Sequence, residues 1–294
     1  MHILMTGATG FIGTLLAEHL IVQGHTLAIL TRRSLADSDN CTYVKQLEVI
    51  SPDEKIDAVI NLAGASLAER RWTSKYKREI LASRLETTEA LLQLLRRLDS
   101  KPKALLSASA IGYYGHHGDE KLDEDGGSTP GFSQQLCERW EQEALAAREL
   151  GVRVCLLRLG VVLDRDGGAF TQMARPFSFG VANWLGEGNQ WLSWVHRRDV
   201  IGAIVFLLHH DELDGPFNIT APHAVTSRGF CDAMTRHKRT LFSASVPSTV
   251  MRLMVGEMAE ELLLNGQRVV PAALQKAGFN FEFSDLDAAL TDII

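Results

Sequence analysis

Four cysteines in 294 residues, Cys41, Cys137, Cys155 and Cys231, stand far apart, and no two form a Cys-x-x-Cys pair. That spacing argues against a disulfide framework and a zinc site, so a reducing compartment and no metal centre are expected. Long apolar runs are also missing: nothing approaches the roughly 20 residues of a membrane span, so no membrane partner is expected. An apolar, strand-like stretch already under way at His2 leaves no room for a signal peptide, and the cytoplasm is the expected location. Charge of one sign is scarce. A net charge of −6 provides no basic face for nucleic acid. Hydrophobic content of 46% and charged content of 22% are those of an ordinary globular protein long enough to bury a large core. There is no internal repeat and no low-complexity segment.

Against these absences, the first fifteen residues are dense in signal. His2 to Met5 is a short apolar strand. It breaks into Thr6-Gly7-Ala8-Thr9-Gly10-Phe11-Ile12-Gly13 and resumes with Leu15, Leu16 and Leu20 on one helical face. Gly7 permits a tight turn, Gly10 lets backbone approach a pyrophosphate, and Gly13 lets helix and strand pack closely. The N–H groups that open such a helix have no partner within it and face an anion. Gly7, Thr9, Gly10, Phe11, Ile12 and Gly13 are therefore the expected phosphate cradle.

Strand-like segments at 26–30, 57–62, 103–108 and 152–159 alternate with helical patterns at 74–98 and 134–150. That alternation predicts an α/β doubly wound parallel sheet, a Rossmann fold with its ligand at the C-terminal strand ends. Further on, 191–196 reads as a strand, 199–209 as a helix, 217–220 as a strand and 279–283 as a short strand. The expected organisation is a dinucleotide-binding domain from 1–163 and 196–221, with a small substrate-side cap from 164–195 and 222–294. Chains that bind NAD carry an acid at the end of the second strand to hold the ribose hydroxyls. Here that position reads Thr31-Arg32-Arg33. Two guanidiniums in place of a carboxylate suit a 2′-phosphate, so NADP(H) is the expected cofactor.

Several further motifs carry a resemblance. They are Gly7-x-x-Gly10-x-x-Gly13, Asn61-Leu62-Ala63-Gly64, Ser107 to Gly115 with its doubled tyrosine, Arg70-Arg71-Trp72-Thr73, Ser83-Arg84, Arg158-Leu159-Gly160 and Trp194-Val195-His196. Gly215-Pro216-Phe217-Asn218 and Gly266-Gln267-Arg268 extend it into the tail. Together they resemble the extended short-chain dehydrogenase/reductase superfamily, and within it the epimerase-like atypical branch of YfcH-type proteins. The likeness runs over nearly the whole chain. It implies Leu62, Ala63 and Gly64 beside the cofactor, a small-molecule substrate, in one form nucleotide-linked, and a homodimer.

The superfamily's chemistry uses a Tyr-x-x-x-Lys pair one helical turn apart, in which the ammonium lowers the phenol's pKa. No such pair exists here. The best register places Ser133 at the tyrosine and Cys137 at the lysine. Tyr113 and Tyr114 are the expected substitutes, with His116, His117 and Cys137 as further candidates, and Ser109 is the expected counterpart of the superfamily's catalytic serine. Packing residues are the alternative for both tyrosines, an exposed loop for the histidines and a small buried hydrophobe for Cys137. Arg71, Trp72 and His196 are candidate substrate contacts, or alternatively a helix's first turn and a loop tie. Two functions stay open: an NADP(H)-dependent oxidoreductase or epimerase-like enzyme, and a catalytically silent NADP(H)-binding redox sensor.

Overall fold

The computed structural model describes residues 1–294, the whole sequence. Five parallel strands come from the first half, β1 (His2–Thr6), β2 (Thr26–Leu30), β3 (Cys41–Val44), β4 (Ala58–Asn61) and β5 (Ala104–Ala110). Strands Arg153–Leu159 and Gly215–Ile219 complete a seven-stranded sheet. Its order is Gly215–Ile219, Arg153–Leu159, β5, β4, β1, β2, β3, with every pairing parallel. The chain runs outward from β1 to β3 and then returns to build from β4 the other way. The reversal lies beside β1, and it opens the crevice where a doubly wound sheet takes its ligand.

The period of two along each strand divides the interior into two cores. Ile3, Met5, Leu106, Cys155 and Leu157 face one side, where α1 (Phe11–Val22) contributes Leu16 and Leu20. Leu4, Leu105, Val154 and Leu156 face the other side. There α2 (Ser74–Arg97) contributes Leu91 and Leu95, and α3 (Phe132–Leu145) contributes Ala144. Such strands are buried on both faces, which is why they read as near-continuous apolar runs.

Some boundaries differ from the sequence reading for local reasons. The helix expected over 134–150 begins at Phe132, gives way to 3₁₀ turns over Ala146–Leu150, and ends at Gly151 in the left-handed region. The strand expected over 191–196 breaks at Ser193. Its hydroxyl donates to the Gln267 carbonyl at 2.7 Å and accepts from Val269 N at 2.9 Å. Residues 279–283 form no strand, because the amides of Glu282 and Phe283 donate to the Asp199 carboxylate instead of a neighbouring strand.

Beyond the sheet, α4 (Gly168–Ser178), α6 (Ser227–His237) and the last helix (Leu286–Ile293) share a third core with Trp194 and Phe283. Between α4 and α6 runs α5 (Arg197–His209), which packs on the sheet with Val200, Ile204 and Leu207. No helix is long and apolar enough to cross a membrane.

Candidate functional site

At the crevice, Gly7 adopts φ +71°, and a Cβ there would lie 2.5 Å from the Leu62 carbonyl oxygen. Gly13 is as constrained: its Cβ would meet the Gly7 carbonyl at 2.2 Å. The loop is thereby pressed against the end of β4 and the start of α1. Gly10 is exposed and caps α1 with no side-chain hydrogen bond. The amides of Phe11, Ile12 and Gly13 find no acceptor within the protein, and no acidic residue occupies the first turn. This is a row of backbone donors without protein acceptors at a positive helix end, which fits a pyrophosphate. Thr9 sits partly exposed on the same loop.

Thr31, Arg32 and Arg33 follow β2, with Thr31 Oγ1 accepting from Arg33 N at 3.2 Å. Both guanidiniums are exposed and unpaired; neither meets a carboxylate. After β4, Leu62, Ala63 and Gly64 line the neighbouring strand end. Asn61 beneath them is fully buried and structural: it accepts from Thr6 Oγ1 at 2.6 Å and donates to Thr88 Oγ1 at 3.0 Å. The sequence-predicted cradle therefore comes together in one crevice.

The three catalytic candidates separate. Ser109 is buried and donates to Glu141 Oε1 at 2.6 Å, so its hydroxyl is turned into the protein rather than toward a substrate. Tyr114 is 0% exposed, donates to Asn218 Oδ1 at 2.7 Å and accepts from Arg158 Nη1 at 3.0 Å. Burial pushes its phenol up to about 12, outweighing the Arg158 charge that acts the other way. Both expectations are thus corrected, since these residues are committed to a buried network. Its centre is a bidentate Arg158–Glu141 pair at 2.9 Å on both arms. Tyr113 is different. It is partly exposed, its ring stacks on the Arg158 guanidinium at 3.5 Å, and its hydroxyl has no protein partner. Only this member of the doublet can offer a proton to a ligand.

Two substrate candidates are also corrected. Trp72 is 7% exposed, donates its indole N–H to the Leu67 carbonyl at 2.8 Å and packs edge-on against Phe132. His196 caps α5 through Nδ1, which accepts from Arg198 N, and stacks on Phe283 at 3.9 Å. Burial lowers its pKa. Trp72 is a packing residue with its indole N–H in use, and His196 is a helix cap whose Nδ1 is in use while its Nε2 is buried without a hydrogen-bond partner. Arg71 remains exposed, beside Gly256 of the tail.

An open cleft of about 580 Å³ lies beyond the Tyr113 turn, lined by polar residues that include His116, Asp119, Glu187, Gln190, Trp191 and Asn265. Asp119 accepts from the Trp191 indole at 2.7 Å, and Arg252 in its wall pairs with Glu260. Apart from His116, sequence reasoning missed these residues, which arrive from four distant segments with no common motif. It also missed the Arg158–Glu141 pair, whose signal was the arginine following the apolar run Val154 to Leu157 within a strand. Arg84 was quoted without a role; the structure buries it between α2 and α3.

Comparison with known proteins places this geometry. The NAD dependent epimerase/dehydratase family model matches residues 3–220, and a domain of unknown function, DUF1731, matches 246–293. An epimerase family protein of Mycobacterium leprae is 36% identical, over 98% of this chain and 94% of its own. One from Staphylococcus aureus is also 36% identical, covering 99% and 98%. The crystal structure of human epimerase family protein SDR39U1 with NADPH superposes with a TM-score of 0.89 at 31% identity, covering 100% of this chain and 99% of that one. A nucleoside-diphosphate sugar epimerase from Corynebacterium glutamicum has a TM-score of 0.81 at 27% identity, covering 100% of this chain and 58% of that one. With a Rossmann sheet, a cradle of free backbone donors and these relatives, the chain belongs to the NAD dependent epimerase/dehydratase family.

Proposed function

We propose that this protein is an NADP(H)-dependent oxidoreductase or epimerase-like enzyme acting on a small polar carbonyl or sugar. The observation that carries the cofactor choice is the pair of unpaired guanidiniums, Arg32 and Arg33, at the end of β2, where an NAD-binding chain needs a carboxylate. A bidentate guanidinium partner is worth more to a 2′-phosphate than to a neutral ribose hydroxyl. The NADPH in the human relative's structure supports the same choice.

In the reductive direction, hydride passes from C4 of NADPH to the carbonyl carbon, leaving NADP⁺, while the oxygen takes a proton. In this reading Tyr113, partly exposed and with a hydroxyl free of protein partners, delivers that proton. The cleft beyond its turn, lined by His116 and Asp119, sets the substrate class in the same reading. Its arginine is already paired and Glu187 is free, so it favours a neutral polyhydroxyl compound over one carrying a diphosphate.

A parallel titration with NADPH and NADH, read by nicotinamide fluorescence, tests the cofactor assignment. NADPH should bind more tightly, and the Arg32→Ala, Arg33→Ala double variant should lose that preference while keeping NADH affinity. Equal affinities in the unaltered protein would refute it. One observation favours a second reading, a silent NADP(H)-binding redox sensor: the Ser109 and Tyr114 hydroxyls are both consumed internally. Absence of turnover across a carbonyl and sugar panel at 340 nm, with tight NADPH binding, would select the sensor.

A further inference from the structure

The order of strands fixes where each part of a dinucleotide lies along the crevice. Arg32 and Arg33 stand at β2, the phosphate cradle at β1, and the loop Leu62 to Gly64 at β4. A dinucleotide held by the first two must lay its nicotinamide half over β4 and β5. Directly behind that point is Arg84 of α2. A Cβ on Gly64 would come within 2.9 Å of the Arg84 guanidinium carbon, so the cation lies directly against the loop at this glycine.

Arg84 is 8% exposed and has no carboxylate partner. Its Nη1 donates to the carbonyls of Ala65 at 3.1 Å and Ile80 at 3.0 Å, while Nε is buried with no acceptor. Across from it, α3 turns one face inward through Ser133, Cys137 and Trp140, spaced by four and then three residues. Ser133 Oγ and Trp140 Nε1 are likewise buried without partners. The Trp140 ring centre lies 5.0 Å from the guanidinium carbon. The Arg84 charge and the Cys137 thiol also act on each other's protonation. Gly112, just past β5, closes the group, since its Cβ would approach Ser133 Cβ to 3.1 Å and Cys137 Sγ to 3.7 Å.

The Arg84 charge is thus met by two carbonyls and no carboxylate, and its Nε, Ser133 Oγ and Trp140 Nε1 stay buried without partners around it, an arrangement that costs stability and that packing alone does not explain. The pocket sits at the helix position where the superfamily's lysine would stand, and here that position holds a neutral thiol.

We propose that Arg84 supplies, from α2, the positive charge that α3 lacks, and that it acts on the nicotinamide end of the bound dinucleotide as a positioning and redox-tuning residue. This rests on the NADP(H) reading above. A fixed cation near the nicotinamide disfavours the positively charged NADP⁺ ring and leaves neutral NADPH untouched. The ratio of dissociation constants, NADP⁺ over NADPH, is therefore the readout, because a merely structural defect weakens both nucleotides alike and cancels in the ratio.

The experiment measures both constants by fluorescence and calorimetry in the unaltered protein, Arg84→Gln, Arg84→Met and the double variant Arg84→Gln, Cys137→Lys. Removing the charge should lower the ratio by about tenfold, the size of one unit charge acting across a partly dry site. Lysine at position 137 should bring it back toward the starting value. Methionine fills the same volume without charge and carries the test if glutamine does not fold. An unchanged ratio in the uncharged variants overturns the proposal. If the unaltered protein binds neither nucleotide, the NADP(H) reading falls first, and that result is distinct from the other.

Discussion

Replacing Arg158 by methionine should be among the most damaging single changes in the protein, and the structure says by how much. Arg158 is 4% exposed. It makes two hydrogen bonds to Glu141, one to the Tyr114 hydroxyl and one to the Glu124 carbonyl, at 2.9 to 3.1 Å. Arg158→Met leaves a carboxylate that is 5% exposed with Ser109 as its sole remaining donor. Breaking a buried pair from one side costs about 3–5 kcal/mol, because the other charge stays desolvated and unpaired. The double variant Arg158→Met, Glu141→Leu removes both charges. What remains is the loss of partners for the Ser109 and Tyr114 hydroxyls, about 1 kcal/mol each. The double change should therefore cost less than the single, although it alters twice as many buried residues. Urea unfolding followed by the emission of buried Trp140 and Trp194 gives both values from the shift in midpoint. A single-variant cost near zero, or a double-variant cost equal to the sum of its parts, would refute the claim that these residues form one coupled unit.

The tyrosine doublet should divide function from stability. Tyr114→Phe orphans Asn218 Oδ1 and should cost about 1–3 kcal/mol in the same unfolding assay. Tyr113→Phe should leave the midpoint unchanged and lower any established turnover by about 10²- to 10⁴-fold, the usual worth of a positioned acid; equal stability losses in both would defeat the division. On the alkaline side, burial raises Cys137 and Tyr114 to about 12, from ordinary values of 9.0 and 10.0. The folded chain keeps these protons where the unfolded chain has lost them. Their contribution is thus full below pH 9 and declines as pH rises toward 12. Stability measured across that window should fall less steeply in Cys137→Ala, and a parallel slope would count against the assignment. With all four thiols buried, a disulfide reagent at pH 8 should label none until the chain unfolds; rapid labelling of Cys137 in the folded protein would contradict its burial.

What could be read in the sequence was what local physics determines. The phosphate loop is legible because the positive φ of the turn at Gly7, the strand before it and the helix dipole after it are all set by residues near in sequence. The strands of the sheet are legible because burial on both faces leaves an unbroken apolar run. The boundaries that failed were settled by partners far along the chain. Asp199 takes the amides of Glu282 and Phe283, eighty residues away, and thereby prevents a strand there. Glu261 caps the amides of Phe132 and Ser133 and so starts α3 two residues before its apolar pattern does. Two of the three catalytic candidates turn inward for the same reason. A serine and two tyrosines in one short stretch suggest shared chemistry, yet Glu141 and Asn218, neither adjacent in sequence, consume two of the three hydroxyls. Arg84 is the converse case. Nothing in its own neighbourhood on α2 distinguishes it from a solvated helical arginine, and its meaning comes from Gly64, Ser133 and Trp140 meeting it across the packing of two helices. A motif carried by adjacent residues can lose its tyrosine and lysine while the site they served is rebuilt from residues that only the fold brings together.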